Sequence, residues 1–160
     1  MGDHAESIEI DYDPAVISYA DLLKVFWQAH DPGSRPLSTQ YMSAIFYHTE
    51  DQKRLAIDSM TREEAKTQRK IYTAIRPASR FYRAEDYHQK YYLRQRPDLM
   101  EEFRSIYPAE KDFVDSTAAA RVNAYLAGQG SLAALQVELN DLLPPGKSAR
   151  LLNLLRRQDR

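Results

Sequence analysis

YMSAIFYHTEDQKRLAIDSMTREEAKTQRKIYTAI, residues 41–75, decides the fold class. Tyr41 to His48 is apolar on both faces around Ala44, Ile45 and Phe46, so it reads as a strand, and as a central one. Thr49 and Gln52 then stand at capping-box spacing, and a charged helix is expected to run to about Arg69. Ile71 to Ile75 reads as a further strand that ends before Pro77. Strand, helix and strand in succession mark a chain that mixes both kinds of element.

On the N-terminal side, Ile8, Ile10 and Tyr12 share one parity, and Ser7, Glu9 and Asp11 the other. A period of two predicts a half-buried strand, ended by Asp13-Pro14. Ser18 opens a helix, with Asp21 three residues on as an approximate capping box. Tyr19, Leu22, Leu23, Phe26 and Trp27 form one apolar stripe, and Asp31-Pro32-Gly33 closes the helix. Residues 33–40 are a loop rich in Gly, Ser and Pro.

On the C-terminal side, Ala84 to Leu93 reads as a short helix. After Leu93 the texture becomes helical throughout. Pro97 suits a first turn and Pro108 stops that helix. Ala118, Ala119, Val122, Tyr125 and Leu126 form a stripe with Gly128 as its cap. Leu132, Leu135, Leu139 and Leu142 form another, which is expected to pack on the chain's own body rather than on a partner helix. Leu151 to Leu155 begins a last short helix, with Arg156, Arg157 and Arg160 suiting its C-terminal dipole. The expected fold is α+β: a small mixed or antiparallel sheet with flanking helices in residues 1–93, then an all-helical extension over residues 94–160.

Composition narrows the function. The chain has 160 residues, enough to bury roughly 70% of its unfolded surface in one core. Its 22 Lys and Arg against 23 Asp and Glu leave a net charge of -1, which argues against a general nucleic-acid or membrane-surface binder. It has no Cys, so it holds no disulfide, thiolate metal site or cysteine nucleophile of its own. Without a long apolar run or a signal-like N-terminus, the cytoplasm is the default compartment.

Few residues suggest chemistry. Glu6 continues the parity of Ile8, Ile10 and Tyr12. A carboxylate on a buried face is expected to have a raised pKa and to serve as a general acid. The plainer reading, favoured by parity alone, is a solvated residue at a frayed strand start. Tyr41 opens a strand beside the loop and offers a phenol to a pocket, or packs its ring at the core edge. His4, His30, His48 and His88 show no ligand spacing, so no metal site is expected. Glu85, Asp86 and His88 admit a relay, though a helix with solvated acids explains them as well. The tyrosines are not interleaved with a basic patch, and there is no phosphate loop or nucleophile elbow.

Three blocks add a family resemblance. GDHAESIEIDYDPAVISYADLLKVFWQAHDP (2–32), STQYMSAIFYHTEDQK (38–53) and FYRAEDYHQKYYL (81–93) resemble the peptide methionine sulfoxide reductase A family in order and, apart from one loop, in spacing. The resemblance implies reduction of methionine S-sulfoxide, free or in proteins, by a thiolate or selenolate that attacks sulfur while the oxygen is protonated. It implies that Glu6, of the HAE block, and Tyr41, of the TQY block, bind and polarise that oxygen. It implies no bound cofactor, an external thiol reductant such as a thioredoxin or dithiothreitol, and neither nucleic acid nor membrane as partner. For the Asp31-Pro32 and Glu85–Gln89 blocks a framework role is expected.

The departures are as informative. The family's Gly-Cys-Phe-Trp motif, which carries the nucleophile, is absent. The loop before Tyr41 is shorter than the common form, and Pro36 lies near the place of an acidic residue often found there. Helices replace the Cys-bearing, Gly-rich tail. The expectation is therefore an N-terminally truncated member that is inactive by itself. A selenocysteine codon read as a stop is favoured over a genuine start at Met1, because a sheet lacking a strand and helix exposes an edge and an apolar face. The alternative function is a non-catalytic interaction or oligomerisation protein built on a reductase remnant.

Overall fold

A computed structural model describes residues 4–157, so Met1, the Gly2 and Asp3 of the first block, and Arg160 lie outside the described residues. The chain divides into two compact units between Tyr82 and Arg83.

The first unit is built on a strand–helix–strand crossover. Strand β1 (Ala44–Tyr47) and strand β2 (Ala74–Pro77) lie on either side of the long helix between them, Glu50–Thr67. They pair in parallel, Ala44 against Ala74 through Tyr47 against Pro77. The α+β class stands, but the sheet is parallel rather than mixed or antiparallel. A chain that crosses over through a helix re-enters the sheet in its original direction. Before β1, Ser18 caps helix α1 (Tyr19–Gln28) by accepting from the Asp21 N–H at 3.2 Å. Lys24 and Ser18 on its carboxylate hold Asp21 down at about 2. Thr49 caps the crossover helix, α2, in the same way through Gln52. That helix stops at a left-handed Gln68, one residue short of the expected Arg69.

The core of this unit is Leu23, Trp27, Ile45, Ala56 and Ile71. Trp27 donates its indole N–H to the Ser59 hydroxyl at 3.0 Å, and Ser59 donates to the Ala56 carbonyl, so α1 and α2 meet through a satisfied buried pair.

Three strand expectations are corrected. β2 begins at Ala74 instead of the expected Ile71 and includes Pro77, before which the strand is expected to end. Residues 7–12 form no strand: Ile8 is 84% exposed and Ile10 53% exposed. The alternation is present, but among the described residues no ladder partner lies beside it, and a strand exists only as a paired object. β1 is also not central. It pairs on one side with β2, and Phe46 stands exposed on its second apolar face.

The second unit is helical. The expected Ala84–Leu93 helix is instead a 3-10 turn at Asp86–His88 and a short helix α3 (Tyr91–Arg94), interrupted by a left-handed Lys90. Helices α4 (Pro97–Ile106), α5 (Glu110–Asp115), α6 (Thr117–Leu126), α7 (Leu132–Leu142) and α8 (Pro145–Arg156) follow. Gly128 takes φ 81° just past α6, where a side chain would be strained. Phe103, Leu99, Leu139, Leu151 and Leu155 are the centre of one continuous core. Leu135 and Leu139 belong to it, together with Leu93, so the leucine stripe packs within the chain, among the helices of this unit. Arg156 reaches across to the Gln136 side chain at 2.7 Å.

Candidate functional site

Glu6 lies on the extended N-terminal segment and is exposed, as the plainer reading of its parity expects, so the burial that would raise its pKa is absent. The face that shares its parity, Ile8 and Ile10, is itself solvated. Its position is nonetheless fixed. The Glu6 backbone N–H donates to the Gln40 carbonyl at 2.9 Å, and the Gln40 side-chain amide donates to Glu6 Oε1 at 2.8 Å. Gln40 immediately precedes Tyr41, which is 63% exposed and sits three residues before β1. The structure thus joins the Glu6 segment to the Tyr41 loop, 34 residues apart in sequence. Gln40 was not singled out from sequence, because its role is a long-range contact with no local period to betray it.

A second contact braces the same segment. His4 meets the Tyr82 ring edge-on, with centroids 5.1 Å apart and planes at 90°. The Arg80 guanidinium lies 5.1 Å from that ring's centroid. Tyr82 stands within the third of the sequence blocks, but nothing in its spacing marked it as a partner of the HAE segment.

The Asp31-Pro32 block acts as framework. The Asp31 carboxylate accepts from the Gly33 N–H at 3.0 Å and the Ser34 hydroxyl at 3.2 Å, and pairs with Arg69 at 3.3 Å. The Gly33 amide above all, with Ser34 and Arg69, holds its carboxyl below the usual range. The Tyr72 N–H donates to the Pro32 carbonyl at 2.9 Å, which ties this loop to the approach of β2. Glu85, Asp86 and His88 belong to the second unit and are exposed, with His88 Nε2 3.9 Å from Glu85. Among the described residues no group of three His, Cys, Asp or Glu is placed to hold a metal ion. No described helix is long and apolar enough to cross a membrane.

Chemically, the first unit offers a carboxyl held by the Gln40 tether and a phenol on the residue after Gln40, both exposed. Neither is a nucleophile toward sulfur, since a phenol without an activating base is far too weak.

The profile of the peptide methionine sulfoxide reductase family matches residues 1–121. A peptide methionine sulfoxide reductase of Drosophila melanogaster is 42% identical over 140 residues, covering 86% of this chain and 56% of the relative. Peptide methionine sulfoxide reductase A5 of Oryza sativa subsp. japonica is 41% identical over 133 residues, covering 79% and 52%. The protein MsrA of Methanothermobacter thermautotrophicus is 47% identical over 95 residues, covering 55% and 56%. The chain spans about half the length of these curated relatives. With the matched region taking in both the Glu6 segment and the Tyr41 loop, the chain belongs to the peptide methionine sulfoxide reductase A family.

Proposed function

We propose that this chain carries the oxygen-binding side of a methionine sulfoxide reductase site, for S-sulfoxides of free or peptidyl methionine. Glu6 and Tyr41 are the groups that hold the sulfoxide oxygen. The observation that carries the reading is the double hydrogen bond between Glu6 and Gln40, which keeps the carboxyl within one residue of the phenol's own chain position. The phenol donates to the oxygen, and the carboxyl, when protonated, donates and can transfer its proton.

In the full reaction a thiolate forms a bond to sulfur while the S–O bond breaks. The oxygen leaves as water, and two thiols end as one disulfide. No Cys occurs in these 160 residues, so the attacking thiol or selenol must come from outside them. The same holds for recycling by a thioredoxin-type reductant or dithiothreitol. In this reading residues 1–93 are the reductase-like part, residues 94–160 a helical extension, and the compartment is the cytoplasm.

The test combines turnover with binding. The chain incubated with methionine sulfoxide and dithiothreitol is expected to release no methionine, and measurable turnover overturns the assignment of a missing nucleophile. By NMR titration the S-sulfoxide is expected to bind in preference to the R form. Glu6→Gln and Tyr41→Phe should each weaken binding by about tenfold, the scale of one hydrogen bond. One observation favours the alternative of an interaction protein: the larger core belongs to the helical unit. A sharp dimer in size-exclusion chromatography, with no sulfoxide binding, supports that alternative.

A further inference from the structure

We propose that Arg80 selects sulfoxide substrates bearing an Asp or Glu a few residues from the oxidised methionine. The inference rests on the reading of Glu6 as the group that binds the sulfoxide oxygen.

Residues 69–83 contain Arg69, Lys70, Arg76, Arg80 and Arg83 and no acid. Arg69 is already neutralised by Asp31. Arg80 and Arg76 have no carboxylate within ion-pair distance among the described residues, and both are exposed. Arg80 is instead positioned by an aromatic ring, 5.1 Å from the centroid of Tyr82. A ring orients a guanidinium without neutralising it, and leaves its donor rim free for a planar carboxylate.

The ring under Arg80 is also the ring that His4 contacts, and His4 is two residues from Glu6. Arg80 therefore lies within about 20 Å of Glu6, the reach of about six residues of extended peptide. In the other direction the segment continues through Glu9, Asp11 and Asp13, all exposed. Among the described residues, Glu6 therefore has the Arg80 guanidinium on its Tyr82 side and the acids Glu9, Asp11 and Asp13 beyond Ile8. An extended peptide that seats its sulfoxide at Glu6 gains by directing its acidic residues to Arg80 and loses by the opposite orientation. A long polyanion fits less well, because the same acids repel its continuation.

The experiment titrates the full chain with two peptides, each carrying one methionine S-sulfoxide. One has Asp and Glu three to six residues away, and the other has Lys at those positions. At about 50 mM salt the acidic peptide is expected to bind about three- to fivefold more tightly, and the preference should shrink as salt is raised. Arg80→Glu should abolish or reverse it, and Tyr82→Leu should reduce it. Equal affinity for the two peptides, or a preference untouched by Arg80→Glu, overturns the inference and leaves the sulfoxide reading standing. Equal binding of the sulfoxide peptides and their reduced forms overturns that reading and the inference with it. An oligothymidylate that displaces the acidic peptide and binds more tightly overturns it in favour of a nucleic-acid surface.

Discussion

The two units are nearly equal in chain length but differ sharply in how they are held together. Among the described residues, the helical unit has fifteen buried hydrophobic side chains in one core, and the sheet-containing unit has five. Among the described residues, the side-chain polar atoms that are buried without a hydrogen-bond partner, the Tyr19 hydroxyl, His30 Nε2 and Thr73 Oγ1, all lie in the first unit. So does a run of exposed apolar residues, Ile8, Ile10, Val16, Val25 and Leu37. The unit with the candidate chemistry is the loosely held one, and the unit without it is the well-packed one. Stability in this chain therefore resides away from the candidate site.

The largest expected effect tests that contrast directly. Phe103 is fully buried at the centre of the helical core, in edge contact with Phe113 at 5.8 Å. Phe103→Ala should remove about 3–5 kcal/mol. Native-state hydrogen exchange should show the slowest amides of the wild-type chain in α4, α6 and α8, and their protection should collapse in the variant. If the slowest amides lie in α1 and α2 instead, the ranking of the two units is reversed.

Much of this architecture was legible in the residues. Ser18 and Thr49 announce their helices, because a cap is a contact three residues long. Pro97 at a first turn and Gly128 past α6 are equally local signals. The failures share one cause, which is dependence on a distant partner. The alternation at 7–12 specifies two faces but supplies nothing to pair with. The direction of the sheet is set by the crossover, which no single strand encodes. Helix α5 escaped notice because six residues with only Phe113 and Val114 buried make no stripe. At the candidate site, Glu6 and Tyr41 could be named from resemblance, spacing alone favouring a solvated carboxylate and a core-edge ring, yet the Gln40 tether and the His4–Tyr82–Arg80 contacts could not. Each joins segments remote in sequence.

A smaller effect sharpens the comparison from the other side. Trp27 is the chain's single Trp, so its fluorescence reports the first unit alone. Ser59→Ala leaves the buried indole N–H without its acceptor, which should cost about 1–3 kcal/mol. The urea midpoint followed at Trp27 should fall, while helical circular dichroism should fall later and at a higher midpoint. Coincident transitions in both probes would show that the five-residue core is no weaker than the fifteen-residue one.

The smallest effect concerns the unpartnered hydroxyl of Tyr19. Burial, reinforced by the nearby Tyr12, raises the pKa of this phenol above its ordinary value of 10.0. The folded state thus favours the neutral phenol. Its contribution is fully present below pH 10, where the unfolded chain also holds the proton. It is lost as pH rises through the higher folded pKa, because the unfolded chain ionises first. The first unit should therefore loosen at alkaline pH ahead of the helical unit, and the Trp27 signal should record it. Tyr19→Phe removes a buried hydroxyl with no hydrogen-bond partner among the described residues, so at neutral pH it should leave stability unchanged or raise it by about 1 kcal/mol. It should also blunt the alkaline loss above pH 10. Destabilisation by Tyr19→Phe would mean that the hydroxyl is satisfied in solution. The first unit would then be better completed than its five-residue core implies.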